Sequence, residues 1–322
     1  MANDTLTAIS GIRVGHASMK DTPSGCTVIL PMGGATAGVD IRGGAPGTYG
    51  TDSLNPLNLV DRVHGIFLTG GSAFGLGVAE GVRRYLKEKD IGFDTGHGSI
   101  PIVAGAVIFD LGLNTSDRYP DAALAYEACH GASPDAVAEG CVGAGLGATV
   151  GKIYGLSQGM KSGLGSCCIK APSGVEVAAL MVVNAFGDIF DPASNQLIAG
   201  CRKSPDSRIL INADLQLYHL KQLRGFPDGQ NTIVGVVATN VKFNKTQLTK
   251  VAQMAHDGLA RTVYPAHTLY DGDTIFSLSC GEMQGVEVSI VGSLAAQATA
   301  RAIVKAVRQA RSCGPLPASV DI

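Results

Sequence analysis

Residues 227–240 read PDGQNTIVGVVATN. Pro227, Asp228 and Gly229 are turn formers, and Ile233, Val234, Val236 and Val237 are β-branched residues that suit a buried strand. The stretch predicts a polar loop or hairpin turn feeding a strand that starts at Thr232. The change of character falls on one peptide bond, Asn231-Thr232, where a small hydroxyl residue opens the apolar run. Two readings follow: an ordinary loop entering the core, or a junction at which cutting would leave Thr232 as a new N-terminus.

Working outward, the segments on either side alternate between strand and helix. GIFLTGGSAFGLGVAEGVRRYLKEKD (65–90) predicts a strand, a glycine turn and a helix with apolar positions at helical spacing. Ile12 to Val14 and CTVIL (26–30) are strands, and IPIVAGAVIFDL (100–111) is a further candidate. DAALAYEACHG (121–131) is a helix stopped by glycine. EVAALMVVNAFGDIF (176–190) is too rich in β-branched residues for a helix and reads as one long buried strand. After Thr232 come the helix KTQLTKVAQMAHDGLART (245–262), the strand TIFSLSC (274–280) and a last helix near Val286 to Arg311. Residues 33–56, dense in glycine, read as a long loop with little core-forming content. No repeat, linker or low-complexity run divides the chain, so residues 1–322 are expected to form one α/β domain of stacked sheets flanked by helices.

Composition narrows the function classes. At 322 residues the chain has room for a large core without disulfides or a structural metal. Its 43 glycines, absent tryptophan and 16% charged residues point to closely packed backbone. A formal net charge of -2 with no basic block gives no footprint for nucleic acid. The N-terminus lacks the charged and apolar regions of a leader, and the apolar run from Val175 to Phe186 is too short to span a bilayer. A cytoplasmic protein with neither nucleic-acid nor membrane partners is expected. The eight cysteines show no C-x-x-C spacing, so they are expected to be reduced, buried small residues that bind no metal.

Several residues have the chemistry for a site, each with an ordinary alternative. The GGSAFG turn (70–75) suits anion binding at a helix start, while Ser72 suits a helix cap or close-packing position better than a nucleophile. Asp271 and Asp273 flank Gly272 just before a strand; turn chemistry explains D-G-D, and so does an acidic pair that polarises a hydroxyl or holds an amine. Asn184 ends a strongly apolar strand, where it supports a turn or donates to an oxyanion. Lys152 in GATVGK and Lys161 in GMKSGLGS lie in glycine-dense contexts suited to a pocket, with solvated lysine as the default.

Seven motifs in order, GIRVGHA, FLTGGSAFGL, VGAGLGATVGK, MKSGLGS, VNAFGD, the NT junction before IVGVVAT, and HTLYDGDTIF, span the chain. Together they resemble the self-processing peptidase family of L-aminopeptidase/D-esterases and β-peptidyl aminopeptidases. Within it they are most similar to the endo-type 6-aminohexanoate-oligomer hydrolase, or nylon hydrolase, branch. D-G-D marks that branch, since the aminopeptidase branch more typically carries serine and glutamate at those places. The resemblance implies a four-layer αββα sandwich like that of an N-terminal-nucleophile hydrolase but with different connectivity. It implies self-cleavage into an α chain, 1–231, and a β chain, 232–322, assembled as a homo-oligomer of αβ units, a tetramer in the family. Thr232 matches the nucleophile, Asn184 the strand-end asparagine, and Asp271 and Asp273 the acidic pair. Lys152 and Lys161 both match lysine-bearing motifs. No cofactor is implied.

This chemistry needs these residue types. A threonine hydroxyl is a poor nucleophile without a base, and a freed α-amino group with a reference pKa near 7.7–8.0 supplies one. Thr232 would attack the Asn231 carbonyl at an exposed junction held by the PDGQN turn, water would open the ester, and the same hydroxyl would then attack a peptide-like amide. Two other classes remain: an acyltransferase resembling the ornithine acetyltransferases, and a binding protein without catalysis on the same scaffold.

Overall fold

Side-chain alternation along two neighbouring strands sets the architecture. In Glu176–Asn184, Ala178, Leu180 and Val182 enter one apolar cluster, while Val177, Ala179, Met181 and Val183 enter another. In Thr232–Val241, Val234, Val236 and Ala238 join the first cluster, and Ile233, Val237 and Val241 the second. A strand places successive side chains on opposite faces, so this sheet is buried on both sides and must lie between two further layers.

The structure is a computed structural model and describes residues 3–114, 116–223 and 231–322. Of the expected PDGQN turn, Pro227 to Gln230 lie outside the described residues. The main strands are β1 (Ile12–Ser18), β2 (Gly25–Pro31), β3 (Ala35–Ile41), β4 (Gly65–Thr69), β5 (Val103–Val107), β6 (Leu164–Lys170), β7 (Glu176–Asn184), β8 (Thr232–Val241) and β9 (Thr274–Met283). The main helices are α1 (Val78–Glu88), α2 (Ala122–His130), α3 (Lys245–Ala260) and α4 (Val288–Arg308). A five-stranded sheet runs β1-β2-β4-β5 and ends in the short strand Thr48–Tyr49. A six-stranded sheet runs β6-β7-β8-β9-β3 and ends in Arg62–Val63. Pairing is parallel for β8 with β9 and for β4 with β5, and antiparallel elsewhere in the two sheets.

Three apolar clusters join the layers. Ile29, Ile66, Leu68 and Ala104 of the first sheet meet Leu180, Val236 and Phe276 of the second. Outside the first sheet, Val28 and Phe67 pack on Val82 of α1 and Ala125 of α2. Outside the second, Met181 and Val237 pack on Leu248 of α3 and Ala302 of α4. The order helix, sheet, sheet, helix is the expected αββα sandwich. Helix α3 starts at a capping box in which Asn244 and Gln247 satisfy each other's backbone N–H groups. Helix α4 has the length and apolar composition of a membrane span, yet most of its apolar residues belong to the core beneath it.

Helix α4 comes close to the sheet because β6 has no side chain at Gly165. A Cβ there would lie 2.2 Å from the Ala302 carbonyl oxygen and 2.4 Å from the Ala306 nitrogen. Gly165→Ala is expected to lower stability by about 1–3 kcal/mol through overpacking, visible as a lower thermal midpoint.

Three expectations need correction. Residues 33–56 contain an interior strand, β3, because Ala35, Ala37 and Val39 alternate into the inter-sheet core and Gly38 admits α3, its Cβ position being only 2.4 Å from the Thr249 nitrogen. The run 176–190 is two strands: β7 stops at Asn184, and Asp188–Asp191 joins a separate three-stranded sheet with Gln196–Ala199 and Val263–Tyr264. Of the cysteines, Cys26, Cys129, Cys167 and Cys201 are buried, but Cys141, Cys168, Cys280 and Cys313 are partly exposed.

Candidate active site

The register of the six-stranded sheet brings Thr232, the first residue of β8, directly opposite Asn184, the last of β7. On the other side, the parallel pairing with β9 continues past the strand end through a bridge between Asn231 and Asp271. The Asn231 N–H donates to the Tyr270 carbonyl at 3.2 Å, and the Gly272 N–H donates to the Asn231 carbonyl at 2.9 Å. The Thr232 hydroxyl donates to that same carbonyl oxygen at 2.5 Å. Asn231 and Thr232 are 2% and 5% exposed, so the junction is buried and not exposed as the sequence suggests. An attack from within the chain needs no solvent access, and the neighbouring strands supply the rigid support.

Gly272 is required where it stands. A Cβ there would come 2.9 Å from the Thr232 hydroxyl oxygen and 2.8 Å from the Ala45 carbonyl oxygen. The loop that leaves β3 grips the D-G-D turn from outside: the Arg42 N–H donates to the Asp273 carbonyl at 3.0 Å and the Ala45 N–H to the Asp271 carbonyl at 2.8 Å.

The two acids have different tasks. Asp273 accepts the Ile233 N–H at 2.8 Å through Oδ1, and through Oδ2 it accepts the His267 backbone N–H at 3.2 Å and faces His267 Nδ1 at 2.8 Å. Asp271 accepts the Thr268 N–H at 2.9 Å and its hydroxyl at 2.6 Å. Burial, and next the Asp273 carboxylate, push the Asp271 carboxyl up to about 7 against the pull of Thr268 and the charge of Lys152.

The two lysines separate clearly. Lys152 Nζ donates to Asn184 Oδ1 at 2.8 Å and to the Asn184 carbonyl at 3.2 Å. Burial draws its amine down to about 7, opposed by the charges of Asp271 and Asp110. Lys161 commits Nζ to the carbonyls of Gly145, Ala148 and Ser162 at 3.2, 2.9 and 2.6 Å, a use for all three of its donors. Lys161 therefore ties a loop together, while Lys152 contacts the residue facing Thr232. Asn184 also accepts from Thr149 N–H at 3.0 Å, and its Nδ2 donates to the Phe109 carbonyl at 2.9 Å, leaving one amide hydrogen uncommitted among the described residues.

Two residues of this network went unassigned in the sequence. His267 opens the HTLYDGD segment, but its bond to Asp273 depends on a left-handed backbone at φ 57°. Asp110, at the end of IPIVAGAVIFD, is buried, and its Oδ1 accepts the Gly71 N–H at 2.7 Å. That N–H of the GGSAFG turn thus already holds a carboxylate. Ser72 is not a cap: Gly71 occupies the cap position, and Ser72 follows at φ 52°.

The site combines a hydroxyl seated on a polarised carbonyl, a strand-end amide, a buried amine and two acids. The pattern of Peptidase family S58 matches residues 4–316. The chain belongs to that family. The chain is 38% identical over 348 aligned residues to an uncharacterised aminopeptidase of Mycobacterium bovis, covering 99% of this chain and 98% of that one. It is 31% identical to a 6-aminohexanoate-oligomer endohydrolase of an Agromyces species, covering 85% of this chain and 74% of the other. Its fold is that of the L-aminopeptidase D-Ala-esterase/amidase of Ochrobactrum anthropi, described as a variant of the Ntn hydrolase fold. The TM-score is 0.72 at 19% identity, over 98% of this chain and 88% of that one. As an S58 member the chain is a peptidase-type amide hydrolase.

Proposed function

We propose that this S58 chain cuts itself between Asn231 and Thr232, and that the new N-terminal threonine then hydrolyses peptide-like amides such as 6-aminohexanoate oligomers or amino-acid amides. The observation that carries the reading is the Thr232 hydroxyl at 2.5 Å from an Asn231 carbonyl oxygen already held by the Gly272 N–H. In the first reaction the hydroxyl oxygen bonds to the Asn231 carbonyl carbon and the bond to the Thr232 nitrogen breaks. That nitrogen gains a proton, and the Asn231 acyl group sits on Thr232 as an ester. The hydroxyl proton leaves to a group that titrates near neutrality, as Lys152 and Asp271 both do. Water then opens the ester, giving a carboxylate at Asn231 and a free amine at Thr232.

The second reaction reuses the same positions. With Asn231 gone, the Gly272 N–H and the uncommitted hydrogen of Asn184 are the donors for a substrate oxyanion, a contact worth about 2.7–4 kcal/mol by removal. The freed amine takes the hydroxyl proton as Thr232 attacks and returns it to the leaving amine, and water then opens the threonyl ester to release the substrate acid and restore the hydroxyl. Asp273, already bonded to the next N–H along, holds the new terminus in place. The test is intact mass under denaturing conditions on fresh protein, with N-terminal sequencing of any fragment. Two chains are expected, the smaller beginning at Thr232; a single active chain of 33.0 kDa would overturn the reading.

A further inference from the structure

We infer that His267 is a positioning residue for the threonine, acting through the Asp273 carboxylate; the inference rests on the function proposed above. A carboxylate only accepts hydrogen bonds, so the 2.8 Å contact requires the proton on His267 Nδ1. With its own backbone N–H on the same oxygen, His267 holds Asp273 Oδ2 from two directions and turns Oδ1 onto the Ile233 N–H. That N–H belongs to the peptide immediately after Thr232, where cutting creates the ammonium that a fixed carboxylate must face.

The surroundings are built to keep the ring in this role. His267 adopts φ 57°, a conformation that costs a histidine energy and persists only where contacts determine it. Its ring packs edge-on against His256, with centroids 4.9 Å apart. His256 is fully buried, its Nε2 lies 3.1 Å from the Asp40 carbonyl, and burial lowers its pKa to about 4, so the neighbouring ring is neutral at neutral pH. Asp40 Oδ2 lies 3.7 Å from the same nitrogen, and Asp271 is the other acid facing Asp273. Among the described residues, His267 Nε2 is buried with no partner. The ring therefore has one polar engagement, and it is with Asp273. A histidine serving only as packing would need no protonated Nδ1 and no strained backbone to aim it.

The test uses the full chain and needs no substrate. Asparagine and glycine both tolerate left-handed backbone, and the asparagine amide nitrogen occupies nearly the place of Nδ1. The rate of cutting at Asn231-Thr232 is followed by mass in a pulse of cell-free synthesis for wild type, His267→Asn and His267→Gly. Loss of a hydrogen bond to a charged group is expected to slow His267→Gly about tenfold or more, with His267→Asn restored to within about threefold of wild type. Equal rates in all three, or equal slowing in both variants, would overturn the inference. Should His267→Gly fail to fold, ¹⁵N spectra of histidine-labelled wild type decide: a protonated Nδ1 at His267, assigned by its loss in His267→Asn, is expected, and a protonated Nε2 with bare Nδ1 overturns it. A wild-type chain that is never cut would instead sink the proposed function itself.

Discussion

A Thr232→Ala chain is expected to remain a single 33.0 kDa species after prolonged incubation and to lose amide hydrolysis down to the uncatalysed background. The variant removes the hydroxyl poised on the Asn231 carbonyl while leaving the Gly272 N–H bond to that carbonyl and the pairing of the strand with β7 and β9 intact. The fold should survive, since the change deletes a methyl and a hydroxyl at the end of a ten-residue strand. Thr232→Ser keeps the oxygen and should still be cut, though more slowly, because a serine side chain loses the rotamer restriction that β-branching imposes. Denaturing mass spectrometry of the three proteins checks this. Cutting of the alanine variant at the same bond would show that the nucleophile lies elsewhere.

Lys152→Met should give the second largest loss, at least about 100-fold in hydrolysis, by removing a group that titrates near neutrality and the donor that fixes Asn184. It should also cost about 1–3 kcal/mol of stability, because the Asn184 carbonyl loses its lysine donor in a buried site. The pH dependence gives a separate check. Lys152 falls from its ordinary 10.5 to about 7 in the fold. Between those values the unfolded chain binds the extra proton, so this group's contribution is greatest above 10.5 and is lost as pH falls toward 7. Asp271 has the opposite sign: raised from 3.8 to about 7, its contribution is full at low pH and lost as pH rises through 7. Thermal midpoints measured across pH 4 to 10 should show a rise on the alkaline side in wild type that Lys152→Met lacks. The same variant at Lys161 should chiefly destabilise, leaving three buried carbonyls without their shared donor.

Much of this site was legible because its residues sit at ends of strands, and strand ends announce themselves. The apolar run to Val183 stops at a lone amide, and the apolar run from Ile233 begins after a lone hydroxyl; two such ends in antiparallel neighbours meet. The D-G-D turn was visible for the same reason. Lys152 and Lys161 looked alike because both follow glycine-rich loops, and only the three-dimensional course of residues 145–162 shows which amine is consumed by backbone. His267 was hidden because nothing local predicts its left-handed φ. The strand β3 was passed over because its inward residues, Ala35 and Ala37, are small: they alternate correctly but lack the bulk by which apolar periodicity is recognised. On the opposite face Gly38, with no side chain at all, is what lets α3 lie close.

The placement of β8 and β9 in the sheet bears on what becomes of the two pieces. Everything after Thr232 contributes adjacent inner strands, clasped by β7 on one edge and β3 on the other, both from the earlier part of the chain. A severed backbone would therefore leave interlocked partners rather than dissociable subunits. Neither piece has a complete sheet to return to, so separation would be tantamount to denaturation, and reassembly from mixed fragments would face a kinetic barrier that the original single chain never met. If the proposed cut occurs, maturation in such a topology would be a one-way ratchet: the covalent link would serve to thread the strands and become dispensable once they were threaded.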